Sequence, residues 1–201
     1  MSIRHSASLT PSSWVTRFAP LIAAGGEVLD FACGSGRHAR WLASKGFRVE
    51  AVDRDAVALE LLAGVPHLTT RQADLEEEPW LYADRRFDAI VVTNYLFRPR
   101  LPLLLTALNH GGVLIYETFM VGNERFGKPS NPDFLLRSHE LFERVAGAGD
   151  TWQSLDGRVL LVGTANPAGY NLTIRRPADN GDFQPGSITL ADWRPGDFAI
   201  R

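Results

Sequence analysis

VLDFACGSGRHARWL, residues 28–42, runs from an apolar stretch through two glycines into a helical pattern. EVLDFA (27–32) reads as a strand and HARWLASKG (38–46) as the helix after it, stopped by Gly46. Strand, glycine turn and helix in that order form the opening unit of a parallel sheet. Asp30 stands where the strand ends, beside a turn of the kind that usually receives phosphate. A carboxylate there needs a ligand that a phosphate-binding turn does not explain.

Working outward, the same unit recurs. FRVEAVD (47–53) is a second predicted strand and AVALELLAG (56–64) a second helix. A short apolar element follows around His67–Thr70, then an acidic loop at Asp74–Glu78. FDAIVVTNYL (87–96) reads as a buried strand, LPLLLTALNHGG (101–112) as a helix with a glycine stop, and VLIYETF (113–119) as another buried strand. SHELFERVAGAG (138–149) predicts a further helix with Ser138 as N-cap. Upstream, TPSSWVTRFAPLIAAGG (10–26) predicts a helix with Thr10 as N-cap, Pro11 at its first position, and Gly25 and Gly26 at its end.

Strands alternating with helices predict an α/β fold: a three-layer, doubly wound, mostly parallel, Rossmann-like sheet in a single domain. Ligands of such sheets lie beyond the carboxyl ends of the strands. The pattern is clear to about residue 163, so the expected domain is 1–163. Residues 164–201 carry Pro167, Pro177, Pro185 and Pro195 with short apolar fragments between them, and read as a last hairpin or an irregular tail.

Composition narrows the class. With 201 residues, 45% hydrophobic and 22% charged, the chain suits one well-filled core. A formal net charge of −2 gives no reason to expect nucleic acid or an anionic membrane surface. No apolar run reaches the length of a membrane span, and MSIRHSASLT lacks the apolar segment of a secretory signal. The one cysteine, Cys33, excludes an internal disulfide and a cysteine-rich metal site, and reads as a loop filler. The expectation is a cytoplasmic protein without a bound metal.

The opening stretch satisfies a dinucleotide fingerprint, with Gly34, Gly36 and Ala39 spaced as G-x-G-x-x-A and Asp53 ending the second strand. That keeps an NAD(P)-dependent oxidoreductase as an alternative. Asp30 discriminates, because a carboxylate in the turn opposes a pyrophosphate. S-adenosylmethionine carries an ammonium and a sulfonium beside a single carboxylate, so Asp30 suits it. Asp53 suits the ribose hydroxyls of either ligand, and Asp74, with Leu75, suits an adenine edge. Any one of these aspartates taken alone also reads as a turn or helix cap.

VLDFACGSGRHARWLASKGFRVEAVDRD, ADLEEEPW, FDAIVVTNYLFRP and LNHGGVLIYETF together resemble class I S-adenosylmethionine-dependent methyltransferases, in particular small bacterial tellurite-resistance-type enzymes. The resemblance covers residues 10 to about 150. It implies S-adenosylmethionine as cofactor, with contacts from Asp30, Ala32, Gly34, Gly36, Asp53, Arg54, Asp74 and Leu75, and with Thr93 and Asn94 near the methionine end. It also implies a seven-stranded sheet whose last two strands form a hairpin, although no clear strand follows Val162.

Methyl transfer from a sulfonium is an in-line displacement that asks mainly for positioning and exclusion of water, so no catalytic triad is expected. A small-molecule acceptor is expected over the cleft, under ETFMVGNERFGKPSNPDFLLRSHEL (117–141). Tyr95, Arg98, Arg125, Lys128, Phe134 and Arg137 are its candidate contacts, read either as a cationic lid or as a solvated surface connection. Tyr116 reads as core, His38 as a helix-start residue that borders the methionine end or is structural, and His110-Gly111-Gly112 as a helix stop. A non-catalytic cofactor-binding partner module, which an incomplete last hairpin would favour, is the remaining alternative.

Overall fold

The computed structural model describes residues 9–137, 140, 141, 144, 160–166 and 169–175. Seven strands form one sheet: β1 (Glu27–Phe31), β2 (Arg48–Asp53), β3 (Leu68–Gln72), β4 (Phe87–Thr93), β5 (Leu108–Thr118), β6 (Leu160–Asn166) and β7 (Gly169–Arg175). Their order across the sheet is β3-β2-β1-β4-β5-β7-β6. The first five are parallel, and β7 runs antiparallel between β5 and β6. The hairpin implied by the resemblance is therefore present. The division drawn between residues 163 and 164 falls inside β6 (Leu160–Asn166), and β7 (Gly169–Arg175) also belongs to the sheet. The remainder of the segment, from 176 on, lies outside the described residues.

Alternation along the strands makes two cores, one on each face. Val28, Val49, Ala51, Ala89, Val91, Val113 and Ile115 pack with Trp14, Val15 and Phe18 of α1 (Ser13–Phe18) and with Ala39 and Leu42 of α2 (Arg37–Ser44). Leu59 of α3 (Ala56–Glu60) joins this layer. On the opposite face Leu29, Phe31, Ile90, Val92, Leu114 and Tyr116 pack with Leu101, Leu104 and Leu105 of α4 (Leu101–Thr106). Tyr116 is buried in this core, as its place in an apolar strand predicts.

Several boundaries differ from those predicted. α1 begins after Ser12, whose Oγ accepts from Trp14 N at 3.0 Å, so Ser12 rather than Thr10 is the N-cap. It ends at Phe18 and tightens into a 3-10 turn, Ala19–Leu21, because Pro20 has no N–H to continue the helix. α3 stops at Glu60, short of the predicted Gly64. α4 stops at Thr106, and β5 starts at Leu108, which pairs with Phe87, so His110-Gly111-Gly112 lies within a strand rather than at a helix stop. Leu108 is completely buried there, and an apolar run of this kind serves a helix or a buried strand equally well until its partner is known. The predicted N-cap Ser138 lies outside the described residues; Glu140, Leu141 and Arg144 nearby are helical.

Candidate active site

Four apolar rows on the α1–α2 face end in polar residues at the carboxyl edge of the sheet. Val28 leads to Asp30, Val49 and Ala51 to Asp53, Ala89 and Val91 to Thr93, and Val113 and Ile115 to Glu117. Period-two alternation puts all four side chains on one face, above the shared core. Asp30, Asp53 and Thr93 belong to the predicted set. Glu117 does not, though the same alternation would have singled it out.

Asp30 is fully buried. Its Oδ2 accepts from Ala39 N at 2.8 Å and so caps the first turn of α2. Its Oδ1 is buried with no hydrogen-bond partner among the described residues. Burial pushes its carboxyl up to about 7, against the opposing pull of the Ala39 N–H and the Arg37 charge. A cationic or hydrogen-bond-donating ligand would satisfy the orphaned oxygen, whereas a pyrophosphate would not.

The glycines of the turn divide by role. Gly34 has φ +54°, and a Cβ added there would meet nothing within 4 Å, so space opens above it. Gly36 has φ +71°, and a Cβ there would lie 2.5 Å from Leu62. Packing against Leu62 is thus a reason for glycine at 36 that does not apply at 34. Ala32 holds the left-handed conformation at φ 58° directly after β1, an uncommon state for a residue with a Cβ. Asp53 closes the turn from the second strand: its Oδ2 accepts from Gly34 N at 2.8 Å and its Oδ1 from Asp55 N at 3.0 Å. Arg54 beside it is exposed.

Thr93 meets His38, with Oγ1 3.3 Å from Nδ1. The other ring nitrogen, Nε2, accepts from Ser12 N at 3.1 Å, so the ring proton belongs on Nδ1 and points to Thr93. Burial, helped by the Arg37 charge, lowers His38 to about 4, and the ring is neutral at neutral pH. His38 thus ties the start of α1 to the end of β4. Asn94 follows with φ 55° and donates its N–H to Glu117 O at 2.8 Å, joining the ends of β4 and β5.

Asp74 and Leu75 sit in the loop after β3. Asp74 Oδ1 accepts from Glu76 N at 2.9 Å and Glu77 N at 3.1 Å, and these bonds hold its carboxyl below the usual range. Asp74 therefore caps its own turn, whatever else it contacts. Leu75 is buried against the α4-side core, and its carbonyl accepts from Arg100 Nε at 2.6 Å. Cys33 is buried and its thiol is pushed up by that burial, which suits a filler and not a nucleophile.

The predicted acceptor residues lie in two stretches, Tyr95 and Arg98 after β4 and the other four after β5. The Arg98 guanidinium bonds Glu140, with Nε–Oε1 at 2.6 Å and Nη2–Oε2 at 2.9 Å, and the carbonyls of Asp133 and Leu135. These bonds tie the turn after β4 to Asp133, Leu135 and Glu140. Burial would raise Glu140, but bonds from Arg98, the Arg137 N–H and Arg144 outweigh it and hold it at about 2. Arg125, Lys128, Phe134 and Arg137 are exposed. Tyr95 packs edge-on against Phe31, and its hydroxyl is buried without a partner among the described residues.

Among the described residues no cluster of His, Cys, Asp and Glu suits a metal ion, and no helix is long and apolar enough to cross a membrane.

Comparison with known proteins gives a family. The model of a methyltransferase domain matches residues 3–155. No match is found among curated proteins. Among solved structures, the fold is similar to a TehB-like S-adenosylmethionine-dependent methyltransferase from Corynebacterium glutamicum, with TM-score 0.59, 15% identity, and 82% of this chain and 86% of that one covered. It is similar also to TehB from Haemophilus influenzae, with TM-score 0.60, 18% identity, and coverage of 83% and 62%. DhpI in complex with S-adenosylhomocysteine gives TM-score 0.56 and 21% identity over 82% and 86% of the two chains. At these identities the likeness is one of fold.

Proposed function

The chain belongs to the methyltransferase-domain family and is an S-adenosylmethionine-dependent enzyme, and on that premise we propose that the methyl donor lies along the carboxyl ends of β1, β2 and β4. Asp30 takes the donor's amino group, directly or through water. Gly34 leaves room for it, Asp53 accepts the ribose hydroxyls, and Asp74 with Leu75 borders the adenine. Ala32, Arg54, Thr93 and Asn94 complete the lining. The bound donor supplies an electrophilic methyl group on a positively charged sulfur.

One observation carries this reading: Asp30 Oδ1 is buried and unpartnered among the described residues, at the edge of the turn where Gly34 faces open space. A buried carboxylate oxygen without a donor is costly, and a ligand ammonium removes that cost. The oxidoreductase alternative would set a pyrophosphate against the same oxygen. Placement in the cytoplasm and a small-molecule acceptor remain part of this reading, supported by the lone buried cysteine and the absence of basic bias.

Titration calorimetry with S-adenosylhomocysteine and with NADH tests it. S-adenosylhomocysteine should bind and NADH should not. Asp53→Ala should weaken binding by about 1.5–3 kcal/mol through lost charge-assisted hydrogen bonds, and Gly34→Val should abolish it. Unchanged affinity in Asp53→Ala removes Asp53 from the site.

A further inference from the structure

Glu117 is the polar residue on the α1–α2 face that the cofactor reading leaves without a task. It is half-buried at the end of β5, and its Oε2 is buried with no partner among the described residues. It stands opposite Thr93 in the β4–β5 register, and Asp30 stands opposite Val91. Two strand spacings and two residues separate Asp30 from Glu117, about 12 Å between Cα atoms. The two orphaned carboxylate oxygens thus mark the two ends of one polar row, with Thr93 between them. α1 packs on β5, and it carries Trp14, whose indole N–H is also buried without a partner among the described residues.

We propose that Glu117 faces the methyl acceptor, and that the acceptor is an amine. This rests on the donor lying against Asp30. In the transfer, the nitrogen lone pair forms the N–C bond as the C–S bond breaks and its electron pair stays on sulfur. Positive charge passes from sulfur to nitrogen, and the nitrogen's proton is then lost to water. A carboxylate beside that nitrogen accepts its N–H and favours the state in which the charge has arrived. The same carboxylate repels a thiolate or an oxyanion. Arg98, a cation that could offset the repulsion, is bound instead to Glu140.

Sinefungin tests this without knowledge of the natural acceptor, because it carries an aminated carbon where the donor has its methylated sulfur. Its affinity relative to S-adenosylhomocysteine should fall at least about tenfold in Glu117→Gln, while S-adenosylhomocysteine affinity stays within about twofold. Glu117→Asp, which keeps the charge, should retain most of the preference and serves also if Glu117→Gln does not fold. An unchanged ratio in Glu117→Gln, or a lost one in a folded Glu117→Asp, overturns the assignment. If S-adenosylhomocysteine binds neither wild type nor variant, the cofactor reading fails instead. Labelled methyl transfer should reach phenethylamine and piperidine but not thiophenolate, benzoate or tellurite. Transfer to anions alone, or to none of these probes, overturns the amine class.

Discussion

The turn after β1 and the segment after β5 both place charged groups in the interior, and they treat them in opposite ways. Glu140, 2% exposed, receives Arg98, the Arg137 N–H and Arg144, and Arg98 completes its set with two carbonyls. Asn123, also buried, donates from Nδ2 to Pro129 O at 2.9 Å. Around β1 and β5 the carboxylates of Asp30 and Glu117 each keep an oxygen without a donor among the described residues. A complete set of partners makes a part that holds its own shape. An incomplete set marks a place shaped for something else.

The largest effect should come from the complete set. Glu140→Ala leaves Arg98 part-buried without its carboxylate, at a cost of about 3–5 kcal/mol in urea unfolding. S-adenosylhomocysteine affinity of the folded fraction should not change. Because Glu140 is held at about 2 in the folded protein, its stabilisation is full above the ordinary value of 4.5 and is lost as pH falls through that window. A loss of cofactor affinity in Glu140→Ala would join the two regions into one site and break the contrast.

Asp30 should behave in the reverse manner. Its folded value of about 7 lies above the ordinary 3.8, so between those values the folded form keeps a proton that the unfolded chain has released. Stability of the ligand-free protein, as far as Asp30 sets it, therefore falls as pH rises through that window. Affinity for S-adenosylhomocysteine should rise over the same range, because pairing with an ammonium requires the carboxylate. Asp30→Asn keeps an oxygen for Ala39 N, so it should stabilise the ligand-free protein at pH 8 while weakening S-adenosylhomocysteine by about 1.5–3 kcal/mol. Affinity independent of pH from 5 to 8 would remove Asp30 from contact with the ligand's amino group.

The same contrast explains what the sequence discloses. β1, β2, β4 and the turn after β1 are written locally, in alternation and in glycines a few residues apart, so both the layers and Asp30 can be read directly. Arg98 and Glu140 are 42 residues apart, and nothing within either neighbourhood announces the other. Arg98 therefore passes for a free cation until the fold joins them. Gly34 and Gly36 are the same residue two positions apart, and only Leu62, brought in from beyond α3, separates their roles. Glu117 was legible in principle as the end of the row Val113, Ile115, Glu117. The apolar run from 101 to 116 hid it by blurring where the helix stops and the strand begins.

The smallest effect should come from Asp74, and it bears most closely on how far an aspartate at a strand end is to be trusted. Asp30 and Asp74 both give one oxygen to backbone N–H groups, but Asp74 lies half-exposed in a loop, and its bonds to Glu76 and Glu77 account for its presence by themselves. Asp74→Asn keeps those bonds through its carbonyl oxygen but puts an NH2 donor where the second carboxylate oxygen stood, so the unfolding midpoint should hold, and S-adenosylhomocysteine affinity should fall only if that oxygen accepts from the adenine amino group. Asp74→Ala removes both functions at once. If Asn and Ala both weaken S-adenosylhomocysteine while only Ala lowers the unfolding midpoint, Asp74 is a cap that also touches the adenine. If Ala lowers only the unfolding midpoint, the aspartate is a cap alone, and recognition of the base falls to Leu75 and its neighbours.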